Sequence, residues 1–365
     1  MKKLFALVLA VIMLLSVCAV GTAEQKPFKY GFACWGTADE HGRTLNKAGR
    51  WAVEAAGGEW VMDATALSAE GTVTAIENLI AAGCQMVSFC TYAGEASVPT
   101  ISDICREKGV YWTMWDTVIA DPEVAEYIAD DPYYLGCTSE DNLTSGYNTM
   151  KVMAEAGCKN VLICRYGMNI PTCDDRCTGA LNYINEVGGI NVVDDMIVNA
   201  DAESYKNAIA NTLLAHPELD GVFMAGAGQN LTAVAEAMHA GGKDKFALGV
   251  FDYSDAMGDA FQKGDLTIIN GGHMITATFS ALMAINTYFG TPLSEEKMHV
   301  IIPYLTLSSY EDYQAYLKYA SEGDAYTADE MKQFLKDFNP DLTLESFQEQ
   351  VSNWSVADIQ KRLGE

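Results

Sequence analysis

The sequence predicts an α/β fold with two similar lobes, each a parallel sheet with helices on both faces. Crossing hinge segments join the lobes, and a helical C-terminal tail follows them. Short apolar runs alternate with helical patterns from Phe28 to about Tyr304, and the alternation comes in two successive sets. Strands joined by helical crossovers must run parallel, so helices cover both faces of each sheet. After Tyr310 the chain changes to charged, helix-favouring stretches, which predict the tail.

The first set of elements lies before about residues 137–142. Gly57, Gly83 and Gly109 end its predicted helices, as glycine commonly does at helix C-termini. The apolar runs predict strands at Tyr30–Trp35, Trp60–Asp63, Met86–Cys90 and Val110–Trp115, with helices at Leu45–Ala56, Thr72–Ala82 and Ser97–Lys108 between them.

The second set repeats this order, and the tail follows it. Strands are predicted at Asn160–Cys164, Asn191–Ile197, Gly221–Met224 and Phe246–Phe251, and helices at Leu143–Ala156, Thr178–Glu186, Tyr205–Ala215, Leu231–Ala240 and Asp255–Lys263. In the tail, Asp329–Asp337 and Leu344–Ser352 have helical character. We expect the tail to pack on one lobe, and an exposed interaction tail is the alternative.

Residues 1–23 have the pattern of an export signal. Two lysines precede the apolar stretch Leu4–Val17, and small residues before Glu24 form a cleavage site. This apolar stretch is shorter than the roughly 20 residues that span a bilayer. Leu15–Cys18 resembles a lipoprotein signal, but Val17 stands where a small residue is expected. We therefore expect soluble export, to the periplasm or the outer face of the cell membrane, rather than a lipid anchor at Cys18.

Charge and cysteine content narrow the function classes. The formal net charge of −26 opposes binding to nucleic acid and to anionic membrane surfaces. Several of the ten cysteines lie in or beside apolar strand-like runs, where a thiol packs as a small hydrophobic group. We expect mostly free, buried thiols. Cys173 and Cys177 are the local candidates for a disulfide, and the sequence leaves their pairing open.

Candidate binding residues come directly after the predicted strands, because ligands of open parallel sheets bind beyond the carboxyl ends of the strands. Aromatic rings can pack against the C–H face of a sugar, while carboxylates and guanidinium groups take paired hydroxyls. This mixture, without a paired nucleophile and base, indicates binding rather than catalysis. The candidates are Trp35, Tyr92, Asp116, Tyr166, Arg176, Gln229, Asn230, Asp252 and His273.

Each candidate also has a structural alternative. Trp35 and Tyr92 could cover a sheet edge, and either aspartate could cap a helix. Arg176 could pair with a neighbouring aspartate at the surface, and His273 could be a structural histidine. The sequence contains no nucleophile elbow, lysine-containing phosphate loop or paired-histidine zinc helix. We therefore expect no cofactor, no metal and no enzymatic activity. A secreted carbohydrate-active enzyme that uses Asp116 and Asp252 is the less favoured alternative.

Several ordered motifs together resemble one known family. They are Ile76–Gly83 followed by Met86–Phe89, Gly109 through Asp116, Leu135-Gly136 with Asp141-Asn142 and Gly146, Arg176 with Gly179, Leu214–Phe223, and Gly249–Asp252. From about Tyr30 to Tyr304 the chain is similar to the type I periplasmic-binding-protein family, in its ribose- and galactose-binding branch that serves ABC importers.

The resemblance implies a function and a division of the chain. A monomer would capture a small polar ligand, expected to be a sugar or sugar-like compound, between its lobes and deliver it to an ABC-transporter permease. The runner-up is a ligand sensor for a chemoreceptor or kinase. The implied units are residues 28–138 plus 273–302, residues 139–272 plus 303–312, and a tail at 313–365. The lobes would close about segments near 137–141, 270–273 and 301–304.

The resemblance also implies roles for individual residues. Trp35 would stack on the sugar, and Asp116, Arg176 and Asp252 would make polar contacts. Two departures weaken the case for a common hexose or ribose. The family's Asn-Asp pair is replaced by Ala227-Gly228, and His273 stands in a segment where the family has glutamine. A modified sugar, a sugar alcohol or another small polar compound therefore becomes a stronger candidate than the family alone implies.

Overall fold

The computed structural model describes residues 27–91, 94–167 and 170–364. The predicted export signal, Cys18 and Tyr92 lie outside the described residues. Among the residues that are described, no helix combines the length and the apolar character needed to cross a bilayer.

Strands and helices alternate along the first part of the described chain. The strands are β1 (Lys29–Ala33), β2 (Glu59–Asp63), β3 (Met86–Phe89), β4 (Tyr111–Met114) and β5 (Tyr134–Glu140). The helices between them are α1 (Glu40–Ala55), α2 (Ala69–Ala81), α3 (Val98–Lys108) and α4 (Pro122–Ala129).

The second part repeats the alternation and then returns to the first lobe. Its strands are β6 (Asn160–Arg165), β7 (Asn191–Ile197), β8 (Gly221–Met224), β9 (Ala247–Phe251) and β10 (Ile268–Gly271). Its helices are α5 (Asn142–Glu155), α6 (Pro171–Val187), α7 (Ala202–Ala215), α8 (Leu231–Ala240) and α9 (Met257–Lys263). The returning elements are α10 (Ile275–Tyr288) and β11 (Met298–Ile302), and β12 (Leu305–Leu307) then rejoins the second sheet.

These strands form two six-stranded sheets. The first has the order β11-β5-β4-β3-β1-β2, and the second has the order β12-β10-β9-β8-β6-β7. Every pairing is parallel except that of β10 with β12. Separate groups of buried side chains lie on the two faces of each sheet, with α1 and α10 opposite α2–α4 in the first lobe. The predicted fold class is therefore confirmed.

Three short connections join the sheets at one place. The chain passes from β5 into α5 at Asp141, from β10 into α10 through Gly272–Met274, and from β11 to β12 through Pro303–Tyr304. The backbone N–H of Asp141 donates to the carbonyl oxygen of Ile302 at 3.3 Å, which ties two of the connections together. All three connections therefore follow the carboxyl ends of β5, β10 and β11, at one side of each sheet. Ligands of such sheets bind beyond the carboxyl ends of the strands.

Helix α10 forms the centre of the first lobe, and residues 275–286 are all buried. A helix that is apolar on every side is buried on every side, but this one also carries hydroxyl and amide groups. Thr278 donates to the carbonyl oxygen of Ala48 at 2.8 Å, and Asn286 donates to that of Phe334 at 2.9 Å. These bonds satisfy buried polar groups and connect α10 to α1 and to the tail.

The C-terminal tail contains α11 (Tyr310–Tyr316), α12 (Ala328–Gln333), α13 (Leu344–Ser352) and α14 (Val356–Arg362). An aromatic cluster attaches it to α10: the ring of Phe279 lies 5.0 Å from that of Phe334 and 5.3 Å from that of Phe347. The Trp354 indole N–H donates to the carbonyl oxygen of Gly272 at 3.0 Å. The tail is helical, as predicted. Helices α12 and α13 pack on the first lobe and Trp354 contacts a hinge connection, whereas α11 packs against α9 of the second lobe.

The described cysteines are all free and buried. Cys173 and Cys177, the candidates for a disulfide, form none in this structure. The two thiols instead hydrogen-bond to each other in the first turns of α6, and this bond lowers the pKa of Cys173 to about 7.

Phe347→Ala tests the packing of the tail. Its side chain is fully buried, so the substitution leaves a cavity and should lower the free energy of unfolding by about 3–5 kcal/mol. Leu344→Ala is the control, because the Leu344 side chain is 37% exposed and its loss should change stability by about 0.5 kcal/mol or less. Urea denaturation measures both. Equal effects would contradict the packing described here.

Candidate functional site

The site begins at the loop after β1. Trp35 is half-buried, and its ring lies 5.7 Å from that of Trp115 and 5.4 Å from that of His41. Its indole N–H donates to Asp39 Oδ2 at 3.0 Å. The Trp35 ring is therefore held at the carboxyl end of the first sheet, beside the start of α1.

His41 comes into the site because α1 begins earlier than the sequence predicts. The Asp39 carboxylate accepts the backbone N–H of Gly42 at 2.7 Å, so the helix starts at Glu40 rather than Leu45. An aspartate at this position satisfies otherwise unpaired backbone N–H groups. The first turn then places the His41 ring 4.3 Å from that of His273.

Asp116 lies between the two histidines. Its Oδ2 is 3.8 Å from Nε2 of His41 and 3.8 Å from Nε2 of His273. Burial opposes its ionisation, but the hydrogen bond to His41 and the field of His273 outweigh burial and hold the pKa of the carboxyl below its ordinary value. Asp116 has a φ of 53°, a left-handed conformation that aspartate tolerates better than most residues.

A second carboxyl, that of Glu140, adjoins Asp116. It is 5% exposed at the end of β5, and both of its oxygens lack a partner by distance and angle criteria. Burial, and next the charge of Asp116, raise the pKa of Glu140 well above its ordinary value. Of the two carboxyls, Glu140 therefore keeps its proton to a higher pH than Asp116 does.

The pKa values of the two histidines shift in opposite directions. Burial favours the neutral form of both rings. For His41 the hydrogen bond and charge of Asp116 outweigh burial and raise the pKa. For His273, burial and the neighbouring His41 lower the pKa well below its ordinary value. His273 is 2% exposed, and its Nδ1 has no hydrogen-bond partner.

Arg176 connects the hinge to the second lobe. Its Nε–H donates to Asn142 Oδ1 at 2.8 Å, and Nη1 donates to the carbonyl oxygen of Ala225 at 2.8 Å. Nη2 donates to the hydroxyl oxygen of Tyr304, whose own O–H donates to Asn142 Oδ1 at 2.8 Å. The guanidinium also lies 4.6 Å from the centre of the Phe251 ring. One buried cation thus joins α5, β8 and the last crossing segment.

Two glycines allow Arg176 to reach this position. A Cβ at Gly146 would lie 2.0 Å from the carbonyl oxygen of Arg176, and one at Gly179 would lie 2.0 Å from that of Leu143. Both distances are far below van der Waals contact, so α5 and α6 approach closely only because these positions lack a side chain.

The second lobe contributes Asp252 and Tyr166. Asp252 Oδ2 accepts the backbone N–H of Ala227 at 3.1 Å, and its Oδ1 lies 3.5 Å from Nη1 of Arg176. Tyr166 is half-buried, and a Cβ at Gly226 would lie 2.5 Å from its ring. The carboxylate and the ring therefore share one side of the loop after β8.

The structure brings together six of the predicted residues: Trp35, Asp116, Tyr166, Arg176, Asp252 and His273. Asn230 is buried and donates back to the carbonyl oxygen of Ala227 at 3.3 Å, whereas Gln229 is exposed. Tyr92 is not among the described residues. Neither Asp116 nor Asp252 caps a helix, because α4 is capped by Asp121 and α9 follows Ala256. Arg176 does not pair with Asp174, which instead binds Arg165 at 3.0 Å.

The sequence analysis missed His41, Glu140, Asn142 and Tyr304. His41 could have been found from Asp39, whose position just before a helical pattern is typical of an N-cap. Glu140 was not selected because it lies within the predicted crossing segment at residues 137–141, whereas in the structure β5 extends to Glu140. For Tyr304, the sequence carried no signal beyond its place at the end of the last crossing segment.

Tyr304→Phe tests the hinge network. The substitution keeps the ring but leaves a buried Arg176 N–H without an acceptor and removes one of the two hydrogen bonds that Asn142 Oδ1 accepts. It should therefore reduce the free energy of unfolding by about 1–3 kcal/mol. Tyr127→Phe is the control: the Tyr127 hydroxyl donates to Asp103 at 2.9 Å on the surface, and its removal should cost about 0.5 kcal/mol or less. Denaturation of both variants in guanidinium chloride measures the two free energies of unfolding. A Tyr304→Phe variant as stable as the control would refute the importance of the network.

Comparison with known proteins gives a family and a fold. A family model described as a periplasmic binding protein domain matches residues 30–287. Comparison with curated proteins gave no match. The motif resemblance found in the sequence is confirmed by the family match.

Several solved structures have the same fold. One is an ABC transporter periplasmic solute-binding protein from Actinobacillus succinogenes with bound D-allose, with a TM-score of 0.68, 17% identity, and coverage of 79% of this chain and 99% of that one. Another, from Bacillus halodurans with bound myo-inositol, has a TM-score of 0.65, 16% identity and coverage of 82% and 100%. A third, from Mycobacterium smegmatis in complex with β-D-fucofuranose, has a TM-score of 0.62, 18% identity and coverage of 79% and 93%.

Proposed function

The chain belongs to the periplasmic binding protein family, and from this premise we propose that it is an exported protein that captures a small polar solute and delivers it to an ABC importer. One observation carries the proposal: His273 and Tyr304, on two crossing connections, link a first-lobe group to a second-lobe group. His273 lies 3.8 Å from Asp116, beside Trp35 and His41, and Tyr304 binds Arg176, beside Asp252. Both lobes therefore contribute to one site.

The composition of the site supports a polyhydroxylated solute. In the proposed complex the Trp35 ring packs on the C–H face of the solute, and the Asp116 and Asp252 carboxylates accept its hydroxyl groups. Similar structures hold D-allose, myo-inositol and β-D-fucofuranose, which makes sugars and sugar alcohols the first classes to test. Tyr92, Tyr166, Gln229, Asn230 and His273 complete the proposed set of contacts.

Arg176 acts in this proposal mainly by positioning other groups. Each of its three nitrogens already donates to a protein acceptor, which leaves one N–H on Nη1 and one on Nη2. The remaining Nη1 hydrogen is available to Asp252, 3.5 Å away. A solute would contact Arg176 through the remaining Nη2 hydrogen. It would also contact the Asp252 carboxylate, whose orientation Arg176 determines.

Contacts across the cleft support a closing motion. Arg43 of α1 donates to Asp255, in the loop before α9, at 2.8 Å. Both side chains are well exposed, so the pair stabilises the closed arrangement only weakly. A solute that binds both lobes would shift the equilibrium toward that arrangement, by rotation about the three connections as in hinge closure generally. The importer would then recognise the closed pair of lobe surfaces.

Binding without turnover fits the family. The members that it resembles are binding proteins rather than enzymes, and the site residues that the structure describes include no nucleophile with an adjacent base aimed at a shared point. We therefore propose that the solute leaves the protein unchanged.

Thermal unfolding of residues 24–365 against a panel of sugars, sugar alcohols, nucleosides and amino acids tests the function. A solute at about 100 times its dissociation constant adds roughly 2.7 kcal/mol to the free energy of unfolding, so one compound or class should raise the midpoint. The bound compound should be recovered intact. Consumption of that compound would support the enzyme alternative instead, and a panel without any hit would contradict the proposed solute class.

Trp35→Ala assigns the site once a solute is known. Loss of the stacking ring should weaken binding at least about tenfold, since about 1.4 kcal/mol corresponds to a factor of ten. Trp51→Ala is the matched control, because Trp51 faces the tail, with its indole N–H on Asp324 at 3.1 Å. Calorimetric titration measures both dissociation constants. Unchanged affinity in Trp35→Ala would remove Trp35 from the site.

A further inference from the structure

We propose that His41, Asp116 and His273 bind a divalent transition-metal ion of the Zn²⁺ type in the hinge region between the lobes. One ligand atom from each residue lies within 4.8 Å of the other two. The three come from the first turn of α1, the end of β4 and the connection after β10. Because the three residues are far apart in sequence, no motif with a fixed spacing predicts the site.

The distances suit a metal after a small contraction. Both histidine Nε2 atoms lie 3.8 Å from Asp116 Oδ2. In a tetrahedral site with metal–ligand bonds of about 2.0–2.2 Å, ligand atoms stand roughly 3.4 Å apart. The two pairs that include Asp116 therefore need a contraction of about 0.4 Å, and the two imidazole nitrogens, which lie within 4.8 Å of each other, need one of at most about 1.4 Å.

Unpartnered groups around the cluster provide an independent indication of a ligand. Both Glu140 oxygens and His273 Nδ1 are buried without a hydrogen-bond partner by distance and angle criteria, and Glu140 adjoins Asp116. Buried polar groups in native proteins are nearly always bonded, so an orphaned set often marks an ion or an ordered water. An ion held by Asp116 would give the Glu140 carboxyl a positive neighbour in addition to Arg176, and it would fix the His273 ring through Nε2.

The local charge also favours a cation. Asp116 and Asp252 bring carboxylates to this region, and the guanidinium of Arg176 is already bonded to Asn142, Ala225 and Tyr304. Asp116 faces the two imidazoles at 3.8 Å, and Asp252 lies 3.5 Å from Arg176. A divalent ion held by the two imidazoles would add its positive charge directly at Asp116.

The ligand types select the kind of ion. Two imidazole nitrogens and one carboxylate oxygen suit Zn²⁺, Co²⁺ or Ni²⁺, whereas Ca²⁺ and Mg²⁺ prefer all-oxygen sets. Three protein ligands leave at least one coordination position open. If the proposed solute-binding function holds, that position is available to a solute oxygen, and this second step alone rests on the proposed function.

Equilibrium dialysis of tag-free residues 24–365, stripped with a chelator and titrated with ZnCl₂, CoCl₂, CaCl₂ and MgCl₂, tests the site. We expect one Zn²⁺ or Co²⁺ ion per chain, visible absorption bands typical of four-coordinate Co²⁺, and much weaker binding of Ca²⁺ and Mg²⁺. His41→Gln and Asp116→Asn should each weaken Zn²⁺ binding at least about tenfold. Circular dichroism without metal verifies that each variant is folded.

His239→Gln is the matched control. Its ring also faces a carboxylate, with Nε2 2.8 Å from Asp265 Oδ1, but at the surface of the second lobe. Zn²⁺ binding should be unchanged in this variant. Equal binding by His41→Gln, Asp116→Asn and the wild type would overturn the proposal, as would a folded wild type that binds no transition metal.

Experiments can contradict the proposed metal site and the proposed solute-binding function independently. A sugar that binds equally with and without a chelator, to protein that takes up no Zn²⁺, would overturn the metal site and leave the solute function standing. Uptake of Zn²⁺ that depends on His41, in protein that binds no solute of the panel, would support the metal site while the proposed solute class fails.

Discussion

The buried guanidinium of Arg176 is the interaction on which the arrangement of the two lobes depends. A buried charge is tolerated only where its N–H groups are bonded, and here the acceptors are Asn142, Ala225 and Tyr304. They belong to the start of α5, the end of β8 and the last crossing segment. The hydrogen bonds of Arg176 therefore fix the connections at Asp141 and at Pro303–Tyr304 relative to the second sheet.

The proposed binding site is an extension of that network rather than a separate feature. The Tyr304 ring, held by Arg176, packs edge-on against His273 at 5.1 Å, and His273 faces Asp116 of the first lobe. On the other side, Arg176 lies 3.5 Å from Asp252. A solute placed between Asp116 and Asp252 would thus contact groups whose positions the hinge determines, which gives a physical route from binding to lobe movement.

Topology explains which features the sequence could predict. Alternating strands and helices lead to parallel sheets, and the ends of such strands form the ligand-binding edge, so Trp35, Asp116 and Asp252 could be selected without coordinates. His41 required knowledge of the helix start set by Asp39. The internal role of Arg176 depends on Gly146 and Gly179 letting two helices touch, and the His41–Asp116–His273 cluster depends on three distant segments. Such contacts carry no local pattern in the sequence.

The central claim is that both lobes hold one small solute at the crossing connections. A crystal structure of residues 24–365 with the compound identified by the thermal panel tests it most directly. The account predicts density for the compound between Trp35 and Asp252, with the lobes closed about Asp141, Gly272–Met274 and Pro303–Tyr304. Density for the compound on a single lobe, away from these connections, would contradict it.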